Sequence, residues 1–152
     1  MEFVVKSVEE LDCLGQQLGK LCSSSDIICL IGDLGTGKTH FTKGIAKGLD
    51  IHHHITSPTF TIVNEYDGRL KLYHFDVYRV NDPEEIEAIG FDEYIFGDGV
   101  SVIEWANYIE ELIPEESLTI TIEKLNNLGE TYRKITFSYS DERYKYVKEL
   151  TL

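Results

Sequence analysis

Residues 32–39 read Gly32-Asp33-Leu34-Gly35-Thr36-Gly37-Lys38-Thr39, a complete G-x-x-x-x-G-K-[ST] phosphate-binding loop. An apolar run over 26–31, suited to a buried strand, precedes the loop, and apolar residues at helical spacing follow it over 41–49. The motif requires this order of strand, glycine-rich loop and helix. A glycine-rich turn that happens to precede a lysine would not account for both flanks. The stretch therefore predicts a binding site for a nucleoside triphosphate.

Each part of this loop has a chemical task. Glycines allow the backbone to turn tightly and to direct successive N–H groups at phosphate oxygens. The helix that follows adds unsatisfied N–H groups and the positive end of its dipole. We expect the Lys38 ammonium to reach the β- and γ-phosphates and the Thr39 hydroxyl to ligate Mg²⁺. The remaining candidate nucleotide contacts within the loop are Asp33, Leu34, Gly35, Thr36 and Gly37.

The composition is that of a soluble globular chain. Of its 152 residues, 42% are apolar and 27% are charged, which predicts one domain over residues 1–152. No apolar run approaches the ~18 residues that a membrane span needs, and the first residues do not resemble a signal peptide. The cysteines, Cys13, Cys22 and Cys29, lack zinc-binding spacing and cannot all pair. These observations predict a cytoplasmic protein with free thiols.

Acidic residues are concentrated in one part of the chain. The formal net charge is −13, and no Lys or Arg lies between Arg79 and Lys124, whereas carboxylates are frequent there. Such a surface repels a phosphate backbone, so we do not expect autonomous nucleic-acid binding. The stretch is either a solvated acidic face or a docking face for a basic protein partner.

Helical and strand patterns alternate around the glycine loop. Ser7 and Glu10 form a capping box that opens a helix, and Asp67-Gly68 marks a hairpin between two strand-like runs. We further expect helices over 83–88, 105–112 and from 141 to about 150. The pattern predicts an α/β fold: a P-loop NTPase-like three-layer α/β/α sandwich with a central, mostly parallel sheet and antiparallel hairpin additions.

Two apolar strands end in a carboxylate. Residues 70–75 are followed by Asp76, and residues 100–103 are followed by Glu104. The second strand has the stronger pattern of a buried central strand, so Glu104 should emerge beside the phosphates. We expect one carboxylate to hold Mg²⁺, directly or through water, and the other to polarise the attacking water. Either residue could instead be a surface acid at a strand end. The sequence does not show which of the two carboxylates would bind Mg²⁺ and which would polarise water.

Several other side chains are candidates for supporting roles. In the loop 56–61, Thr59 or Ser57 could sense the γ-phosphate or magnesium, although a hydroxyl-rich turn shaped by Pro58 would look the same. Trp105 is either core packing or a lid over the nucleotide. Consecutive side chains point in different directions, so the run His52-His53-His54 does not predict a metal site.

Taken together, these motifs resemble the bacterial TsaE (YjeE) family, the ATPase component of tRNA threonylcarbamoyladenosine biosynthesis. The resemblance covers roughly residues 30–110 and is specific in its combination of motifs. Its pieces are the loop 32–39, Ser57-Pro58-Thr59-Phe60, Glu65-Tyr66, His74-Phe75-Asp76-Val77-Tyr78-Arg79, Gly90-Phe91-Asp92-Glu93-Tyr94 and Val102-Ile103-Glu104-Trp105.

The resemblance implies an ATPase that uses ATP and Mg²⁺ and works with two partner proteins, a sugar-kinase-like catalytic subunit and its paralogous scaffold. Those proteins transfer threonylcarbamoyl to an adenosine of tRNA, and ATP hydrolysis resets their complex. It also implies that Lys38 holds phosphates, that Thr39, Asp76 and Glu104 arrange magnesium and water, and that Thr59 belongs to a switch-like loop. This chain departs from the family at His40, where relatives usually carry a small hydroxyl residue that contacts the α-phosphate.

The final third of the chain resembles the family more weakly, and Arg133 is its one candidate nucleotide contact. A small-molecule kinase would be expected to carry an arginine-rich lid, and residues 80–123 contain no Arg or Lys. A GTPase would need an N-K-x-D guanine reader, which the sequence lacks, so ATP is favoured. The sequence is also compatible with a nucleotide-gated binding module, whose output is partner association and whose hydrolysis is incidental.

Overall fold

The computed structural model describes residues 1–58, 62–80 and 82–152 of the chain. Within these ranges seven strands form one sheet in the order β1-β7-β6-β2-β5-β4-β3. The strands are β1 Glu2–Val5, β2 Ile27–Ile31, β3 Val63–Tyr66, β4 Leu72–Asp76, β5 Val100–Glu104, β6 Leu118–Lys124 and β7 Arg133–Tyr139.

The centre of the sheet is parallel and both of its margins are antiparallel. Strand β2 runs parallel to β5 and β6, and β4 runs parallel to β5. The hairpin predicted around Asp67-Gly68 is β3–β4, with Val63 opposite Phe75 and Tyr66 opposite Leu72. At the other margin β7 pairs antiparallel with both β6 and β1. The predicted fold class is confirmed.

Four α-helices and one 3₁₀-helical segment lie between the described strands, and a second 3₁₀ segment follows β7. The helices are α1 Val8–Leu21, α2 Lys38–Gly48, α3 Pro83–Ala88 and α4 Phe91–Ile95, and the 3₁₀ segments are Ala106–Leu112 and Glu142–Glu149. As predicted, Ser7 accepts a hydrogen bond from the Glu10 N–H at the start of α1.

The structure defines the helix type of two predicted helices and adds one helix. The segments expected as helices over 105–112 and 141–150 are 3₁₀-helical, and the first is interrupted at Ile109, where φ is −131°. The short α4 was not predicted; Gly90, in a left-handed conformation with φ 82°, allows the chain to turn into it.

Alternate residues of β2 face opposite layers, because successive side chains of a strand point to opposite faces. Ile28 and Leu30 join the core that contains α1 and α2, whereas Ile27 and Cys29 join the core that contains α3 and α4. The sheet therefore lies between two helical layers, one with α1 and α2 and the other with α3 and α4. None of the helices in the described ranges has the length and apolar content needed to cross a membrane.

Candidate functional site

The loop between β2 and α2 has the backbone conformation that its glycines predict. Gly35 and Gly37 have φ values of 78° and 106°, in the left-handed region that other residues rarely adopt. Gly37 is the residue that precedes α2, and Lys38 begins the helix. The N-terminus of α2 therefore opens directly onto the loop, at the edge of the sheet where β2, β4 and β5 end.

Lys38 is buried beneath the loop. Its ammonium donates hydrogen bonds to the carbonyl oxygens of Gly32 at 2.7 Å and Asp33 at 2.9 Å. The same Nζ lies 4.1 Å from the ring centroid of Trp105, close enough for a cation–π contact. Burial lowers the pKa of Lys38, and the negative charges of Glu104 and Asp76 oppose that shift.

Thr39 and Glu104 meet at the carboxyl edge of the sheet. The Thr39 hydroxyl lies 3.2 Å and 3.4 Å from the two Glu104 carboxylate oxygens, and 3.3 Å from the Ser57 hydroxyl. Glu104 ends β5 and is only 2% exposed. A buried carboxylate and a hydroxyl thus share the space in front of Lys38.

His74 fixes the far side of the Glu104 carboxylate. Its Nε2 lies 2.5 Å from Glu104 Oε2, and the imidazole is fully buried on β4. No residue in the described part of the chain bonds the other ring nitrogen, Nδ1, which is also buried. The contact between His74 and Glu104 is therefore the principal polar constraint on the imidazole.

Asp76 lies beside Glu104 because β4 and β5 are in register, with these two residues as direct partners. Burial raises the pKa of Asp76, and the nearby Glu104 charge adds to that shift, whereas the hydrogen bond from the Tyr78 N–H opposes it. Two carboxylates of like charge at one edge favour a cation between or beside them.

Lys38, Thr39, Asp76 and Glu104 line one open pocket of about 420 Å³, which we call the main pocket. Trp105 forms one wall; it has a left-handed backbone with φ 63° and packs 4.6 Å from Tyr78 and 5.4 Å from Tyr108, measured between ring centroids. The predicted site residues that line this pocket are Leu34, Gly35, Gly37, Lys38, Thr39, His40, Asp76, Glu104 and Trp105.

Comparison with known proteins identifies the family. A family model described as "Threonylcarbamoyl adenosine biosynthesis protein TsaE" matches residues 5–135. The chain belongs to the TsaE family. The resemblance read from the motifs is thereby confirmed.

The similarity to individual TsaE proteins extends over most of the chain. A tRNA threonylcarbamoyladenosine biosynthesis protein TsaE from Bacillus subtilis is 46% identical over 142 residues, which cover 93% of this chain and 87% of the relative. A protein of the same description from Treponema pallidum is 42% identical over 136 residues, covering 90% and 98%. The crystal structure of Bacillus subtilis YdiB matches with a TM-score of 0.80 at 41% identity, covering 98% of this chain and 91% of that one.

Other predicted residues of this TsaE-family chain lie around the loop but outside the main pocket. Arg133, on β7, donates to the Thr36 carbonyl at 3.0 Å and lines a separate pocket of about 210 Å³ together with His40. Asp33 and Thr36 line a third pocket, of about 490 Å³, on the β6 side of the loop. Thr59 lies outside the described residues.

Ser57 and His74 lie at the site, although the sequence did not predict a definite role for either. Ser57 was an alternative to Thr59, and its hydroxyl contacts Thr39. His74 was named only as part of a family motif; it precedes Asp76 by two residues, so strand alternation alone places both on one face. Within the described residues no group of three His, Cys, Asp or Glu side chains is arranged to hold a metal ion.

Proposed function

We propose that this protein binds ATP and Mg²⁺ and hydrolyses the ATP in support of tRNA threonylcarbamoyladenosine formation. The observation that carries the proposal is the convergence of Lys38, Thr39 and Glu104 in one pocket at the end of a phosphate-binding loop. Two segments far apart in sequence, the start of α2 and the end of β5, contribute to that convergence, so a fortuitous motif match would not produce it.

The loop and the N-terminus of α2 bind the phosphates. Backbone N–H groups at a helix N-terminus attract anions without any side chain. Lys38 is already oriented by the Gly32 and Asp33 carbonyls, so its ammonium can meet a phosphate oxygen with little loss of side-chain freedom. His40, next to Thr39, offers an imidazole N–H in place of the hydroxyl that relatives usually carry.

The residues at the carboxyl edge suit Mg²⁺. This ion prefers oxygen ligands and is usually held by one or two carboxylates together with substrate phosphates. Thr39, Glu104 and Asp76 offer a hydroxyl and two carboxylates on one side of the pocket. When bound there, Mg²⁺ would neutralise charge on the β- and γ-phosphates.

Glu104 and Asp76 have different surroundings, which suit them to different roles in hydrolysis. Glu104 is held by His74 and Thr39, so its position is fixed from two sides. Asp76 is bonded at one oxygen by the Tyr78 N–H, and its other oxygen can accept a proton or a water hydrogen. In this arrangement Glu104 organises the metal side of the site and Asp76 orients the attacking water.

We expect slow hydrolysis by the isolated protein and faster turnover with its partners. Arg79 is exposed and lines a neighbouring groove, and no phosphate-directed arginine lines the main pocket in the described residues. A cation supplied by another protein can accelerate such reactions by roughly 10³–10⁵-fold. The partners proposed are the sugar-kinase-like catalytic subunit and its paralogous scaffold, which contact tRNA; the net charge of −13 disfavours direct tRNA binding by this chain.

The test is reconstituted modification of tRNA by the proposed partners with wild type, Lys38→Ala or Glu104→Ala. We expect multi-turnover product formation with wild type only, because both variants stop the ATP cycle, while a first turnover can still occur. A small-molecule kinase would instead leave tRNA modification unaffected in all three. Equal multi-turnover yields from all three proteins would overturn the proposal.

A further inference from the structure

Lys124 brings a third cation to the phosphate-binding loop. It is the last residue of β6, which pairs parallel with β2, so it emerges at the same sheet edge as the loop. A Cβ atom placed on Gly35 would lie 3.3 Å from the Lys124 ammonium nitrogen. The ammonium is therefore seated against the tip of the loop.

The other two cations at the loop are already engaged with protein oxygens. Lys38 donates to the Gly32 and Asp33 carbonyls, and Arg133 donates to the carbonyls of Thr36, Glu130 and Tyr132 at 3.0, 2.7 and 2.9 Å. The Lys124 ammonium has no hydrogen bond or ion pair within the described ranges. Among these three it is the cation whose N–H donors are all available to an external anion.

The neighbouring carboxylates do not neutralise Lys124. Glu123 precedes it, but the Glu123 carboxylate pairs with Lys134 at 3.5 Å. Asp33 lines the same 490 Å³ pocket as Lys124 without forming an ion pair with it. Lys124 is also the first cation after the long acidic stretch that begins beyond Arg79. The chain has a net charge of −13, yet the unpaired Lys124 ammonium places a positive charge next to a glycine of the phosphate-binding loop.

We propose that Lys124 is a nucleotide-binding residue that reaches the phosphate chain from the Gly35 side of the loop. The inference rests on the proposed ATP binding and adds a contact that the loop motif does not include. Gly35 permits the approach because it carries no side chain between the ammonium and the loop. The ligand chemistry is a polyphosphate anion, and the role is in affinity, since Lys124 lies outside the pocket that contains Glu104 and Asp76.

Calorimetric titration of the full chain with ATP, ADP and inorganic tripolyphosphate tests this role. The variants are Lys124→Ala, Lys124→Arg and the control Lys145→Ala, which removes the same charge from an exposed position of the 3₁₀ segment Glu142–Glu149. Since a hydrogen bond to a charged group is worth more than a neutral one, we expect Lys124→Ala to weaken all three ligands about tenfold. Lys124→Arg should retain most of the affinity, and Lys145→Ala should bind as wild type does.

The outcomes separate the inference from the function on which it rests. Equal affinities for Lys124→Ala and Lys145→Ala, with ATP binding intact in wild type, would overturn the role of Lys124 alone. Weakened binding of ATP and ADP with unchanged binding of tripolyphosphate would also overturn it, because the contact would then be to the nucleoside. Absence of ATP binding by wild type would overturn both proposals.

Discussion

At the scale of single residues, the position of Glu104 depends on His74. The imidazole is fully buried, and its 2.5 Å contact holds the carboxylate oxygen opposite Thr39. Glu104 itself is the last residue of the central strand β5, whose side chains are all buried. The backbone thus brings Glu104 to the correct edge of the sheet, and His74 sets the direction in which its carboxylate points.

Replacing His74 should therefore affect turnover more than nucleotide affinity. We expect His74→Leu to lower the ATP hydrolysis rate about 10–100-fold, the range typical of residues that orient a metal-site ligand. The dissociation constant for ATP should change little, because Lys38 and the loop remain intact. Steady-state phosphate release and fluorescence of Trp105, the one tryptophan of the chain, measure the two quantities.

His74→Gln serves as the matched variant, because its amide can still donate to the Glu104 carboxylate. It should recover part of the lost rate. If His74→Leu hydrolyses ATP at the wild-type rate, the orienting role is wrong. If both variants lose ATP binding, His74 supports the loop and not the carboxylate.

Much of the site could be predicted from the sequence because its parts obey local rules. The loop motif locates Lys38 and Thr39, and strands that end in acids locate Asp76 and Glu104. The contacts of Arg133 with loop carbonyls could not be predicted, since they join β7 to a loop about 97 residues earlier in the chain. The same holds for Lys124, whose neighbour Gly35 is determined by the order of strands in the sheet.

At the scale of elements, α1 and α2 approach unusually closely through glycines. A Cβ atom on Gly48 would lie 2.3 Å from the Gln16 carbonyl oxygen, and one on Gly19 would lie 2.2 Å from the Ile45 carbonyl oxygen. Real side chains do not tolerate such distances, so any larger residue would push the helices apart. Because α2 begins at Lys38, this contact also determines where the phosphate loop sits.

Gly48→Ala should destabilise the protein through this contact. We expect the free energy of unfolding to fall by about 1–3 kcal/mol, the usual cost of overpacking a tight interior. Urea denaturation measures the change. Lys20→Ala, at an exposed position in the last turn of α1, is the control and should stay within about 0.5 kcal/mol of wild type. Identical unfolding midpoints for the two variants would show that the helices can separate without cost.

The elements themselves were predictable where their periodicity was strong. Helices α1 and α2 and the strands β2 and β5 have long, regular apolar patterns. The segment Ala106–Leu112 is helical as predicted, but it is 3₁₀-helical: Trp105 precedes it in a left-handed conformation and Ile109 interrupts it. Neither feature is visible in the apolar spacing, which does not determine single backbone dihedral angles.

At the scale of the whole molecule, Asp26 ties the C-terminal 3₁₀ segment to the sheet. Its buried carboxylate accepts hydrogen bonds from the Ser23 N–H at 2.8 Å and the Tyr146 hydroxyl at 2.7 Å. The Arg143 guanidinium lies 3.1 Å away, within ion-pair range but not aligned for a hydrogen bond. Burial raises the pKa of Asp26, although these three groups oppose the shift.

The raised pKa predicts the sign of a pH effect on stability. The folded protein holds the Asp26 proton more tightly than the unfolded chain does, so this contribution is complete below about pH 4 and is lost as pH rises through the folded pKa. The stability of wild type relative to Asp26→Asn should therefore fall as pH rises from about 4 to about 7. Urea unfolding across this range tests it, with exposed Asp98→Asn as the control. A difference that grows with pH would contradict the sign.

The central claim for the molecule is that Glu104 is needed for ATP hydrolysis, whereas the phosphate-binding loop binds the ATP phosphates without it. The most direct measurement is the rate of Mg²⁺-dependent phosphate release from saturating ATP by wild type and by Glu104→Gln, which keeps the shape of the side chain. We predict slow release by wild type and a rate lower by about 100-fold or more in the variant, with ATP still bound. Release by Glu104→Gln at the wild-type rate would contradict the account.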